Sequence, residues 1–122
     1  MSALPYPYRG EVWLVDLNPV VGHEQGERRP ALILSCDELN HGPSGLVTAV
    51  PITKTTGKKL TRAIPFHLSI AQGEAGLPMD SILLCDQVRT LSRLRLVKPY
   101  GSVTVATMRG VEEMVSVVLG LG

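Results

Sequence analysis

Cysteine is scarce in this chain, and what there is carries no pattern. Cys36 and Cys85 are the two residues, and neither belongs to a CxxC, so a zinc knuckle and a vicinal redox pair are both excluded and buried free thiols are expected. No apolar run approaches the roughly 18 residues of a membrane span. The opening MSALPYPYRG has no basic segment followed by an apolar one, so the chain reads as cytoplasmic with no membrane partner. An excess of one charge is missing too. Twelve Lys and Arg against 11 Asp and Glu leave +1, which removes the whole-chain basic field of many nucleic-acid binders, so any basic surface must be local. The usual enzyme signatures are absent as well: there is no GxxxxGK, no GxSxG and no HExxH, and His23, His41 and His67 have no ligand spacing. No metal and no cofactor are therefore expected.

What is present suits one small body. A chain of 122 residues, 44% hydrophobic and 19% charged, is one domain long and too apolar for disorder. Pro5 and Pro7 make residues 1–8 an extended, loosely held segment, and 9–122 reads as a single domain. Short β-rich runs recur between glycine-rich turns: 10–16 (GEVWLVD), 30–36 (PALILSC), 46–53 (LVTAVPIT), 63–70 and 81–87 (SILLCDQ). The proline in LVTAVPIT predicts an edge or a bulge. Near the end the period changes. Val105, Met108, Val111, Met114, Val115, Val118 and Leu119 follow helical spacing, with Thr104 placed as N-cap and Gly120 as C′ residue. A shorter helix is expected over 92–97. The fold class predicted is mainly β with α, a small barrel closed by a C-terminal helix.

Between the first two strands lies NPVVGHEQGERR, longer than an ordinary hairpin loop and rich in charge. Long loops are disproportionately functional. His23, Glu24, Gln25, Arg28 and Arg29 put an acid/base group, a carboxylate, an amide and two guanidiniums into one segment. RNA phosphoryl transfer needs a base for the 2′-hydroxyl, an acid for the leaving 5′-oxygen and a fixed cation for the phosphorane. Arginine suits the last, because its planar fork grips two phosphate oxygens and keeps its charge. A solvated loop accounts for the same composition. Arg29 differs from its neighbours because it precedes Pro30 and a buried strand, which restricts its backbone to extended forms. Thr53 ends a strand beside Lys54. Asp86, Gln87 and Arg89 follow another, and suit either the same mouth or a structural hydrogen-bond network. Lys54, Lys58, Lys59 and Arg62 surround Gly57 in a basic turn suited to a phosphate backbone or simply to water. Trp13 is expected in the core, and Tyr8 is a candidate for base stacking.

RGEVWLVDLNP followed by VGHEQGERRPALILS, then VPIT, SILLCDQVRTLS and the terminal VVLGLG, resembles the MazF/PemK family of toxin endoribonucleases along the whole chain after Tyr8. The resemblance implies a homodimer of SH3-like barrels that cleaves single-stranded RNA, typically mRNA, leaving a 2′,3′-cyclic phosphate and a 5′-hydroxyl without a metal. It also implies a cognate antitoxin with an acidic, disordered segment. By position, Arg29 matches the catalytic arginine of MazF-like members and Thr53 the threonine of the same site. His23 matches the histidine of the PemK-like GHEQ loop and Asp86 the acid used there as base. Glu24, Gln25, Arg28, Lys54, Lys58, Gln87 and Arg89 are the expected substrate contacts. PemK-like members carry an arginine where this chain has Leu84, which moves the cationic work to Arg29. The proton-donor role stays open between Arg29 and His23. The alternative is a gyrase-poisoning toxin of the CcdB type, which shares the barrel dimer and cuts nothing.

Overall fold

The structure is a computed structural model that describes residues 6–17, 28–55 and 65–122. Seven strands form one sheet: β1 (Glu11–Asp16), β2 (Arg28–Ile33), β3 (Leu46–Lys54), β4 (His67–Ile70), β5 (Ser81–Leu84), β6 (Arg89–Ser92) and β7 (Leu96–Ser102). A one-turn helix, α1 (Asp37–Asn40), follows β2, and α2 (Val105–Val118) ends the chain. Hydrogen-bonded neighbours run β4-β5-β3-β2-β1-β7, with β6 added on β3. Every ladder is antiparallel.

The sheet is buried on both faces, because strand alternation sends successive side chains to opposite sides. Val12, Leu32, Val50, Ile52 and Leu83 point to one side, where Val111 and Val115 of α2 cover them. Trp13, Val15, Ala31, Ile33, Val47 and Ala49 point to the other, where Leu91 of β6 and Leu96 of β7 curl over them. The curl is that of the expected small barrel, but no ladder joins β6 to β7 among the described residues, so the sheet stays open. Trp13 is core, as expected, at 7% exposure.

The terminal helix matches its sequence signals. Thr104 accepts from the Thr107 N–H at 3.1 Å, and Gly120 takes a left-handed φ of 70° just past the last turn. Other expectations need correction. The strand 30–36 begins earlier, at Arg28, and the strand 81–87 stops at Leu84, giving way to a 3-10 turn over Cys85–Gln87. The strand 63–70 is narrower, beginning at His67, with 63 and 64 outside the described residues. In place of a helix over 92–97 there is the end of β6, a single 3-10 turn (Arg93–Arg95) and the start of β7. Ser92 does cap that turn by accepting from the Leu94 N–H. The turn goes no further because Arg93 is drawn into the interior, its Nη1 donating to the carbonyls of Asn40 at 2.8 Å and Gly42 at 3.0 Å. Pro51 sits inside β3, paired with Ala31 of β2. Its missing N–H is tolerated because the other side of β3 passes there from β6, which pairs up to Ala49, to β5, which pairs from Ile52. Cys85 is buried but Cys36 is exposed, against the expectation of two buried thiols. Residues 6–8 are seated rather than loose: Pro7 is fully buried, and His41 packs edge-on to Tyr6 and Tyr8.

Two glycines fix the close approach of the 3-10 turn Glu74–Gly76 to β7. A Cβ on Gly76, whose φ is 72°, would lie 2.4 Å from the Tyr100 carbonyl oxygen. One on Gly101 would meet the Ala75 backbone at 2.9 Å.

Candidate active site

Arg29 stands opposite Val15 on β1 and Arg28 opposite Asp16. Alternation along β2 therefore sends Arg29 to the side of Ala31 and Ile33, and Arg28 to the other. The Arg28 guanidinium lies 3.7 Å from the Asp16 carboxylate. Strand β2 pairs with β3 through Ala31 and Pro51. Two residues further in the same direction, on the same face, come Arg29 and Thr53. Thr53 in turn stands opposite Ile82 of β5 and is half-buried. Lys54, exposed and opposite Ser81, falls on the other face.

Arg89 begins β6 opposite Ala49, so it shares the face of Ala49 and Pro51. Arg29 and Arg89 both border one small groove whose surface is almost wholly apolar and whose other walls are Val15, Leu17, Pro30, Ala31, Ala49, Pro51 and Leu91. Three residues far apart in the chain, Arg29, Thr53 and Arg89, are thus gathered on one side of the sheet by register alone.

Asp86 and Gln87 take a different path. Both are exposed in the 3-10 turn after β5. The Asp86 carboxylate meets His67 Nε2 at 3.1 Å, with 37% and 15% of the respective side chains exposed. His67 opens β4 opposite Leu84, and the alternation that links Leu84 to Ile82 and Ile82 to Thr53 puts His67 on the Arg29 face. No local sequence signal singles out His67. Its partner is 19 residues away, and only the β4–β5 ladder brings the two together. Asp86 also raises the pKa of neighbouring Cys85, which burial above all pushes up from 9.0 to about 11.

His23, Glu24, Gln25 and Lys58 lie outside the described residues. Among the described residues no group of three or more His, Cys, Asp or Glu is arranged to hold a metal ion, and no helix is long and apolar enough to cross a membrane.

A curled antiparallel sheet, backed by a terminal helix and carrying arginines and a threonine on one face, defines a small α+β domain with a basic site on its sheet. The comparisons make that specific. The profile of the PemK-like, MazF-like toxins of type II toxin-antitoxin systems matches residues 8–119, and the chain belongs to that family. It is 32% identical over 117 residues to the endoribonuclease MazF9 of Mycobacterium tuberculosis, covering 93% of this chain and 96% of the relative. It is 36% identical over 114 residues to the endoribonuclease MazF of Staphylococcus saprophyticus, covering 93% and 91%. A MazE–MazF crystal structure from Deinococcus radiodurans superposes with a TM-score of 0.76 at 29% identity, covering 97% of this chain and 99% of the other. The chain is a MazF-type toxin endoribonuclease, which sets aside the gyrase-poisoning alternative.

Proposed function

We propose that the chain cleaves single-stranded RNA, mRNA included, without a metal, and that Arg29 and Thr53 form the centre of the reaction. In that chemistry the 2′-oxygen attacks the adjacent phosphorus while the bond from phosphorus to the 5′-oxygen breaks. The 2′-proton passes to a base and the leaving 5′-oxygen gains a proton, giving a 2′,3′-cyclic phosphate and a 5′-hydroxyl. Arg29 neutralises the phosphorane, the task for which a fixed bidentate cation is best suited. The Thr53 hydroxyl bonds a phosphate oxygen beside it. Asp86 shares its carboxylate with His67, so the pair, rather than the carboxylate by itself, is the candidate base. His23 and Arg29 remain the two candidates for the acid. Glu24, Gln25, Lys58, Gln87 and Arg89 serve the flanking nucleotides, whereas Arg28 and Lys54, sent by strand alternation to the opposite face, stand away from them.

The observation that carries this reading is the β2–β3 register, which sends Arg29 and Thr53 to one face at neighbouring positions. By analogy with an endoribonuclease from a Mycobacterial species solved in complex with its cognate antitoxin, the working partner is a cognate antitoxin, and the homodimer that the family resemblance implies is the working unit.

The test is incubation of the full chain, in EDTA, with a long unstructured RNA and its all-DNA copy, followed by mapping of the ends. Discrete RNA cuts bearing cyclic phosphates, with DNA intact, are expected. Arg29→Ala, folded by circular dichroism, is expected to lose at least about 100-fold in rate, the scale of removing one donor to a developing charge. Activity that disappears in EDTA and returns with magnesium would overturn the metal-free mechanism, and an unimpaired Arg29→Ala would remove the arginine from its role.

A further inference from the structure

The two described histidines outside the 18–27 loop are held in different ways. His41 spends its Nε2 on the Pro7 carbonyl at 2.7 Å and packs against two tyrosine rings, which is structural work. His67 instead meets a carboxylate, with its Nε2 3.1 Å from Asp86. An ionised carboxylate only accepts, so Nε2 carries the proton and Nδ1 is the bare nitrogen of the neutral ring. That Nδ1 has no hydrogen-bond partner among the described residues. The pair is also fixed from behind. The residues just before each member are tied together, the Cys85 N–H donating to the Phe66 carbonyl at 3.1 Å. Phe66 takes a left-handed φ of 71°, a conformation that a bulky residue keeps only where its surroundings impose it.

The pair shares a face with the phosphate-binding residues of the proposed reaction. Ile82 of β5 stands between Thr53 of β3 and Ser69 of β4, and Leu84 with His67 forms the next row on that side. Strands about 4.8 Å apart and same-face rows about 6.8 Å apart put the Thr53 and His67 Cα atoms about 12 Å from each other. Once the two side chains are counted, that gap suits a phosphate and the neighbouring 2′-oxygen set between hydroxyl and imidazole.

We propose that His67 is the catalytic base of the cleavage reaction, taking the 2′-proton on Nδ1, and that Asp86 is a positioning residue that acts through it. The inference rests on the RNA-cleaving function above and deepens it by naming the atom that accepts the proton. As the 2′-oxygen bonds to phosphorus, its proton passes to Nδ1, and the 5′-oxygen leaves with a proton from the acid. The imidazolium then returns its extra proton to water. Asp86 holds the tautomer that leaves Nδ1 bare and stabilises the imidazolium that forms, as a carboxylate does behind a histidine base elsewhere. An imidazole suits the task better than an ordinary carboxylate, because it titrates nearer to neutral pH and is the stronger base there.

The test is cleavage kinetics of the full chain on RNA of a mapped cleavage sequence, with folding checked by circular dichroism. His67→Gln, close to the imidazole in size, is expected to lose at least about 100-fold in kcat, the lower scale of general acid–base catalysis, with KM little changed. In His67→Ala, added imidazole is expected to raise the rate with its concentration while wild type stays flat. Asp86→Asn is expected to lower kcat as well, yet to cost nothing further in a chain that already lacks His67, because it then has nothing to position. RNA with sulfur in place of the bridging 5′-oxygen, whose leaving group needs no proton, sorts base from acid, and His67→Gln should stay slow on it. Recovery of the full rate on that substrate would make His67 the acid and overturn the proposal. A full additional loss from Asp86→Asn in the absence of His67 would overturn it too. Wild type tells the two readings apart. No cutting of RNA by wild type in EDTA removes the function itself, whereas wild-type cutting that persists undiminished in His67→Gln removes His67 alone.

Discussion

At the scale of the residue, the two cysteines show how burial decides chemistry that composition leaves open. Cys85 has no exposed surface, and its thiol is held up to about 11 by desolvation and, second, by the charge of Asp86. Cys36 precedes α1 on the surface. Since the thiolate is the nucleophile, iodoacetamide at pH 8 is expected to label the native protein once, at Cys36, as read by peptide mass, and twice only in denaturant. The same shift has a sign in stability. Between 9.0 and about 11 the unfolded thiol loses its proton while the folded one keeps it, so the native state binds more protons and stability falls as pH rises. The loss is on the order of 3 kcal/mol at most. Urea midpoints measured from pH 8 to pH 11 should fall less steeply in Cys85→Ala than in wild type, whatever the cost of the substitution at pH 8.

At the scale of the element, α2 is held at its start by one side chain. Removing the Thr104 hydroxyl leaves the Thr107 N–H without its partner at 3.1 Å. Thr104→Ala should cost about 1 kcal/mol, a drop of a few degrees in Tm by calorimetry, whereas Thr104→Ser should cost much less. No change in Thr104→Ala would mean that packing alone starts the helix. This helix was legible in the sequence because cap, period and C′ glycine all agree. β1 and β3 were legible because they alternate between bounded turns. β6 and β7 were not. Leu91, Leu94 and Leu96 around a capping Ser92 imitate a helical start, and nothing local announces that Arg93 will turn inward to bond carbonyls of residues 40 and 42. The candidate site divides in the same way. Arg29 could be read from its place before a proline, and Thr53 from its place at a strand end. The partnership of Asp86 with His67, and of Arg29 with Arg89, depends on strand order and register, which single segments do not encode.

At the scale of the whole molecule, the balance of charge limits how RNA can be held. A chain with a net charge of +1 has no long-range field with which to gather phosphates, so affinity must come from a few local contacts and from base stacking. On single strands each neutralised phosphate adds about −0.7 to the slope of log K against log salt. With Arg29 on one phosphate and the basic side chains near Lys58, which lie outside the described residues, counted for one to three more, the slope for an uncleavable RNA should lie near −1.5 to −3, by the same rule. Arg29→Ala should make the slope shallower by about 0.7, because a phosphate contact is lost. Anisotropy titrations across a range of potassium chloride concentrations measure the change. An unchanged slope in Arg29→Ala would take that guanidinium off the phosphate backbone, and a shallower one would place it there.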